Sequence, residues 1–214
     1  MRPVLHSILS VVDKVSKFFG WLARWLCIIL VALTVEQVLA RHYFNGASVA
    51  LQELEWHLFG LIFLLATAET LRQDAHVRVD LIYSRCSKKV RAIIDSAGIL
   101  IFLVPMCLVL IYYGYNYTLQ AFSFDNPRPP DFYSAQFFSK DGSLYTVFSS
   151  LEGLLRKTVL TGQISPDPGG LEARWIIKAA IPFAFILLLL QGLAELVRKL
   201  ALIFGYSGDL ADER

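Results

Sequence analysis

Residues 51–80 read LQELEWHLFGLIFLLATAETLRQDAHVRVD, and this stretch decides the fold. Between Glu55 and Glu69 there is no Lys, Arg, Asp or Glu. A helix of ~20 apolar residues crosses a hydrocarbon core ~30 Å thick. Glu53, Glu55 and Trp56 stand at one end of the run. Glu69, Arg72 and then Asp74-Ala75-His76-Val77-Arg78-Val79-Asp80 stand at the other. A bilayer tolerates ionisable groups so close to a helix only where they are partnered, snorkelling or functional. These end groups are therefore the first candidates for function.

Working outward, three further runs reach membrane-crossing length. They occupy 18–40, 93–122 and 173–200, beside 51–72 for the first. The run at 93–122 is longer than a bilayer requires and predicts a tilted or projecting helix. The fold class that follows is an all-α integral membrane protein with four transmembrane helices. Composition agrees: 56% of residues are hydrophobic, 18% are charged and the net charge is +2. A soluble chain of this length is rarely so apolar. The weak charge and the lack of a basic stripe interleaved with aromatics point away from a nucleic-acid partner.

Two amphipathic segments accompany the spans. In residues 1–17 the apolar positions Val4, Leu5, Ile8, Val11, Val12 and Val15 recur at helical spacing, with Asp13, Lys14 and Lys17 elsewhere. Such a helix can lie in the interface plane. Residues 81–94 repeat the pattern, with Leu81, Ile82, Val90, Ile93 and Ile94 set against Arg85, Lys88, Lys89 and Arg91. The run from Phe18 is too long for the ~7–15-residue apolar core of a signal peptide, which predicts a retained helix.

Orientation follows from where positive charge collects. Arg72, Arg78, Arg85, Lys88, Lys89 and Arg91 crowd the second connection, Arg2, Lys14 and Lys17 the N-terminus, and Arg198 and Lys199 the last flank. The first connection has only Arg41. Both termini, including a tail at 206–214, are expected in the cytoplasm. Tyr112, Tyr113, Tyr115 and Tyr117 then form an aromatic belt at the outer end of the third span.

The outer loop, 123–172, is too long for a simple turn. It opens on Asn126-Pro127-Arg128-Pro129-Pro130 and closes on Ser165-Pro166-Asp167-Pro168-Gly169-Gly170. Ser149 and Glu152 have capping-box spacing, which predicts a short helix from about residue 150. The loop's Phe and Tyr residues exceed the needs of a solvated linker and predict an apolar contact.

Each polar candidate has a plain reading. Glu53 and Glu55 suit a helix N-terminus, which favours carboxylates by ~0.3–1 kcal/mol; a polar contact to another subunit is the alternative. Glu69 is three residues from Arg72, close enough to pair. Paired haem ligation needs facing imidazoles at matching depth, and His57 has no such partner in the other spans. Cys27, Cys86 and Cys107 form no metal or disulfide spacing. No nucleotide-binding or hydrolase motif occurs. We therefore expect no catalytic residue, no metal and no cofactor.

The stretch Gln52-Glu53-Leu54-Glu55-Trp56, its apolar span, and Asp74 to Asp80 resemble the small (Q) permease subunit of tripartite ATP-independent periplasmic (TRAP) transporters. Asp167-Pro168-Gly169-Gly170-Leu171, Trp175, Lys178, Pro182 and Leu190-Gln191-Gly192-Leu193 resemble the branch associated with mannitol or chloroaromatic compounds. The resemblance covers about residues 10–205 apart from the outer loop.

It implies a four-span small permease domain over 18–205 in a bacterial inner membrane, with 123–172 as a periplasmic loop. The subunit would be a non-catalytic scaffold, bracing a large multi-span permease subunit that imports an organic acid with sodium. A periplasmic substrate-binding protein would deliver that acid, and membrane lipids would surround the assembly. Glu53, Glu55, Trp56, Glu69, His76, Arg78, Asp80 and Trp175 are the candidate interface or structural residues. A membrane anchor of a redox complex is the alternative. Residues 126–161 depart from the resemblance as an insertion.

Overall fold

The computed structural model describes residues 2–44, 46, 48–74, 87–137 and 142–204. His76, Arg78, Asp80, Cys86, the start of the segment at 81–94 and the tail at 206–214 lie outside the described residues. Among the described residues the architecture is all-α, and four helices are long and apolar enough to cross a membrane. We number the helices α1 (Arg2–Phe44), α2 (Val49–Arg72), α3 (Lys88–Gly98), α4 (Val104–Phe122), α5 (Ser134–Phe137), α6 (Ser143–Thr158) and α7 (Trp175–Ile203).

Local chemistry sets most of the boundaries. Ser48 caps α2 and Ser87 caps α3, each accepting a hydrogen bond from the amide three residues on. A wide π-turn, Ile99–Leu103, joins α3 to α4. It ends two residues before Pro105, whose ring would collide with a carbonyl four residues back in a regular helix. The third span is therefore α3, the turn and α4 in one continuous path.

No break separates 1–17 from the first span, whereas a distinct surface helix is the sequence expectation. α1 is one helix of 43 residues, about 65 Å long at 1.5 Å per residue. Asp13, Lys14 and Lys17 interrupt the hydropathy of the chain without interrupting its hydrogen-bond ladder. In the outer loop the helix starts at Ser143 rather than near residue 150, with Gly142 as its N-cap. The capping-box reading fails because Glu152 spends its oxygens elsewhere, as described below.

α7 is the hub. It packs against α1, α2, α3 and α4, while α1 also packs along α2. Of its most apolar stretch 28% is buried, against 6–11% for the other three spans. Ala23 of α1, Leu65 and Ala68 of α2 and Leu187 of α7 form the core, flanked by Phe19, Leu22, Leu26, Leu61 and Ile62. Small residues let the helices close. A Cβ on Gly114 of α4 would lie 3.1 Å from Pro182 Cδ, so the proline of α7 seats its ring there. Most large apolar side chains, such as Phe63, Phe102 and Tyr113, face outward. Helices solvated by acyl chains do this without penalty, since lipid is as apolar as the side chains.

Candidate functional site: two polar layers and a cap

Polar groups collect at the two ends of the bundle. At the end that holds Arg72 and Arg198, every span contributes. Gln191 of α7 is fully buried. It accepts from Ser16 Oγ over 2.8 Å and donates to Asp13 Oδ1 over 3.1 Å. Arg198 bonds Asp13 and, at 2.8 Å, Glu195. Lys199 reaches Asp95 of α3 at 2.7 Å. On α2, Arg72 holds both oxygens of Glu69, at 2.7 and 2.8 Å, and Gln73 Nε2 adds a third bond at 2.5 Å. The Glu69 side chain lies across Gly20 of α1, where a Cβ would fall 2.7 Å from Glu69 Cβ. A short charged helix end, a glycine and a glutamine thus lock four helices at one depth.

The layer's α7 members were legible as a pattern. Gln191, Glu195 and Arg198 recur at i, i+4 and i+7 and so share one helix face. Asp13 and Ser16 sit three apart on the opposing helix. In the sequence none of the five stands out as a functional candidate, because each is next to a hydrophobic run.

At the other end Glu53 ties α2 to the loop before α7. Its carboxylate accepts from Ser165 Oγ and, at 2.7 Å, from the Leu171 amide. Gly170 is packed against the same Ser165 side chain, so a side chain there has no room. Glu55 lies close by in sequence, and its Oε1 is buried without a hydrogen-bond partner among the described residues. Trp56 is 73% exposed and faces away from the bundle. Trp175 opens α7, donating Nε1–H to the Val159 carbonyl at 3.0 Å and packing edge-on against Phe122. His76, Arg78 and Asp80 lie outside the described residues.

Residues 123–137 and 142–174 form a folded cap around buried charges. Glu172 accepts from Arg128 Nη1 at 2.6 Å and from Arg156 Nη1 at 3.1 Å. Arg156 Nε also holds Glu152 at 2.9 Å. Glu152 further accepts from the Tyr133 and Ser134 amides and from Ser134 Oγ, at 2.9, 2.8 and 2.7 Å. Burial opposes its ionised form, but these donors outweigh burial and bring the Glu152 carboxyl down to about 2. The Tyr145 hydroxyl is pushed up because it donates to Asp131 over 2.6 Å.

Asn126 closes the cap by donating to the Leu160 carbonyl at 2.8 Å. Lys178 sits 3.9 Å over the Tyr117 ring and donates to Gln163 Oε1, joining cap, α4 and α7.

Glu152 and Glu172 are satisfied by Arg128, Arg156 and nearby amides, and among the described residues no group of His, Cys, Asp and Glu could hold a metal ion. No curated protein matches the chain. Over residues 30–132, from the later part of α1 to the entry of the cap, the chain matches the family model of tripartite ATP-independent periplasmic transporters, DctQ component.

Proposed function

We propose that the chain is the small permease subunit of a TRAP transporter in a bacterial inner membrane, with both termini in the cytoplasm. It braces a large multi-span subunit, which imports an organic acid with sodium after a periplasmic binding protein delivers it. The observation that carries this reading is the family match over residues 30–132. The chemistry of the bundle supports a scaffold. Ion pairs collect at the Arg72 and Arg198 end and in the cap, and the bundle's long flanks are apolar and exposed.

Glu53, Glu69 and Trp175 act as internal fasteners in this reading. Exposed Trp56 and the neighbouring Glu55 are then the better candidates for contact with the large subunit. The resemblance to the mannitol or chloroaromatic branch rests on residues beyond 132, where the match ends. The redox-anchor alternative draws no support from the match.

Co-purification with a multi-span permease tests the assignment. The pair, reconstituted in proteoliposomes, takes up an organic acid only when a binding protein and a sodium gradient are both present. Uptake that proceeds equally without this chain rejects the scaffold role. Reporter fusions at residue 214 and near residue 140 are expected on opposite sides of the membrane.

A further inference from the structure

The cap holds a helix built inside out. α6 turns Glu152, Arg156 and Tyr145 toward the cap interior, where each is bonded. It turns Leu144, Val147, Leu151 and Leu154 outward, at 50–65% exposure. Phe148, Leu155 and Val159 widen that stripe. The third face carries Thr146, Ser150 and Lys157. A helix facing water on its free sides has no reason to spend its charges internally and present leucines instead.

We infer that α6 lies in the headgroup region of the membrane leaflet at the cap end, with its leucine stripe in the acyl boundary. Three observations choose lipid as the occupant. First, the stripe runs to the ends of two spans. It ends at Val159, whose carbonyl is held by Trp175 at the first residue of α7, and Trp175 packs on Phe122 at the last residue of α4. Both rings stand at the ends of two spans, and the amphipathic ring of Trp175 favours the headgroup level. Second, the pattern is that of an interfacial helix, apolar on one side and small or basic on the other. Third, Glu152 is the only carboxylate on α6 and it is buried, so no acidic side chain of the helix meets anionic headgroups. This inference rests on the four spans and not on the transporter assignment.

Single cysteines read the contact directly. Leu151→Cys, Leu154→Cys, Thr146→Cys and Ser150→Cys are made in the full chain with its native cysteines replaced. Each is spin-labelled in nanodiscs of phosphatidylethanolamine and phosphatidylglycerol. Labels at 151 and 154 are expected to collide with oxygen and to be shielded several-fold from a water-soluble nickel complex. Labels at 146 and 150 are expected to show the reverse. Two sites on each face keep the result independent of any one variant that folds badly. Nickel access at 151 and 154 equal to that at 150 overturns the inference in favour of a solvated cap. Shielding of 151 and 154 from both reagents overturns it in favour of a protein partner. The same measurement on the assembled transporter must leave the lipid signature in place.

Discussion

Ser16 of α1 donates its hydroxyl to the side-chain oxygen of Gln191 of α7 across 175 positions of sequence, and both side chains are almost fully buried. The pair joins the first span to the last. Gln191→Ala leaves Ser16 and Asp13 short of a partner, at a cost of about 1–3 kcal/mol. A double-mutant cycle with Ser16→Ala is expected to give a coupling of about 0.6 kcal/mol, the usual size for an interhelical bond in lipid. Unfolding in detergent micelles measures both. Strict additivity of the two variants would mean that the bond contributes nothing beyond packing.

Glu172 carries two guanidinium groups in the cap and is only 2% exposed. Glu172→Gln removes the charge that Arg128 and Arg156 share and leaves Arg156 with Glu152 alone, and breaking a buried pair in this way costs about 3–5 kcal/mol. The damage is expected to stay local. Limited proteolysis should cut between residues 123 and 174 while all four spans remain inserted. A variant cap as resistant as the original contradicts the buried-network account.

The Glu152 carboxyl ionises at about 2 in the folded cap, against 4.5 for an ordinary glutamate. A depressed value stabilises the cap fully above the unfolded value. That stabilisation is lost as pH falls from about 4.5 toward 2. The cap should therefore resist pepsin at pH 5 and yield progressively below pH 4. Glu152→Gln should flatten that dependence. A cap equally pepsin-resistant at pH 5 and pH 2 rules out the contribution assigned to Glu152.

Close helix approach rests on particular glycines. At Gly20 an added Cβ falls 2.5 Å from Glu69 Cγ, and at Gly114 it meets the Pro182 ring. Gly20→Val and Gly114→Val are each expected to destabilise the bundle by about 1–3 kcal/mol through overpacking. A Cβ added at Gly60 meets nothing within 4 Å among the described residues. Gly60→Ala should be neutral, or stabilising by up to ~1 kcal/mol through helix propensity. Thermal unfolding of the three variants settles the ranking, and a fragile Gly60→Ala would show that a face read as open is occupied.

The spans were legible in the sequence because bilayer thickness imposes a length that hydropathy reports directly. The Glu69–Arg72 pair was legible because its members are three residues apart. Contacts across long sequence separations were not. Glu152 looks like a local cap for a helix near residue 150, yet its partners Tyr133 and Ser134 lie 18–19 residues earlier. Glu53 looks like a helix-end carboxylate, yet it holds a loop more than 110 residues away. Gln191 is one polar residue in an apolar run, and its meaning depends on Asp13 and Ser16 arriving from the first helix. The unbroken α1 was obscured for a different reason. Charge marks where a helix leaves lipid and says nothing of where it stops.

The hub position of α7 fixes an order of events during biosynthesis. A ribosome delivers α1 and α2 first, and that hairpin can pack as it emerges. The α3–α4 arm follows, but the helix it leans on is α7, which is translated last. Until Trp175 and the residues after it leave the ribosome, Gly114 has no proline to receive and Asp95 no lysine. The arm waits in the bilayer without the helix that it packs against. A nascent chain stopped before Trp175 is therefore an inserted but unassembled protein, a natural target for membrane quality control.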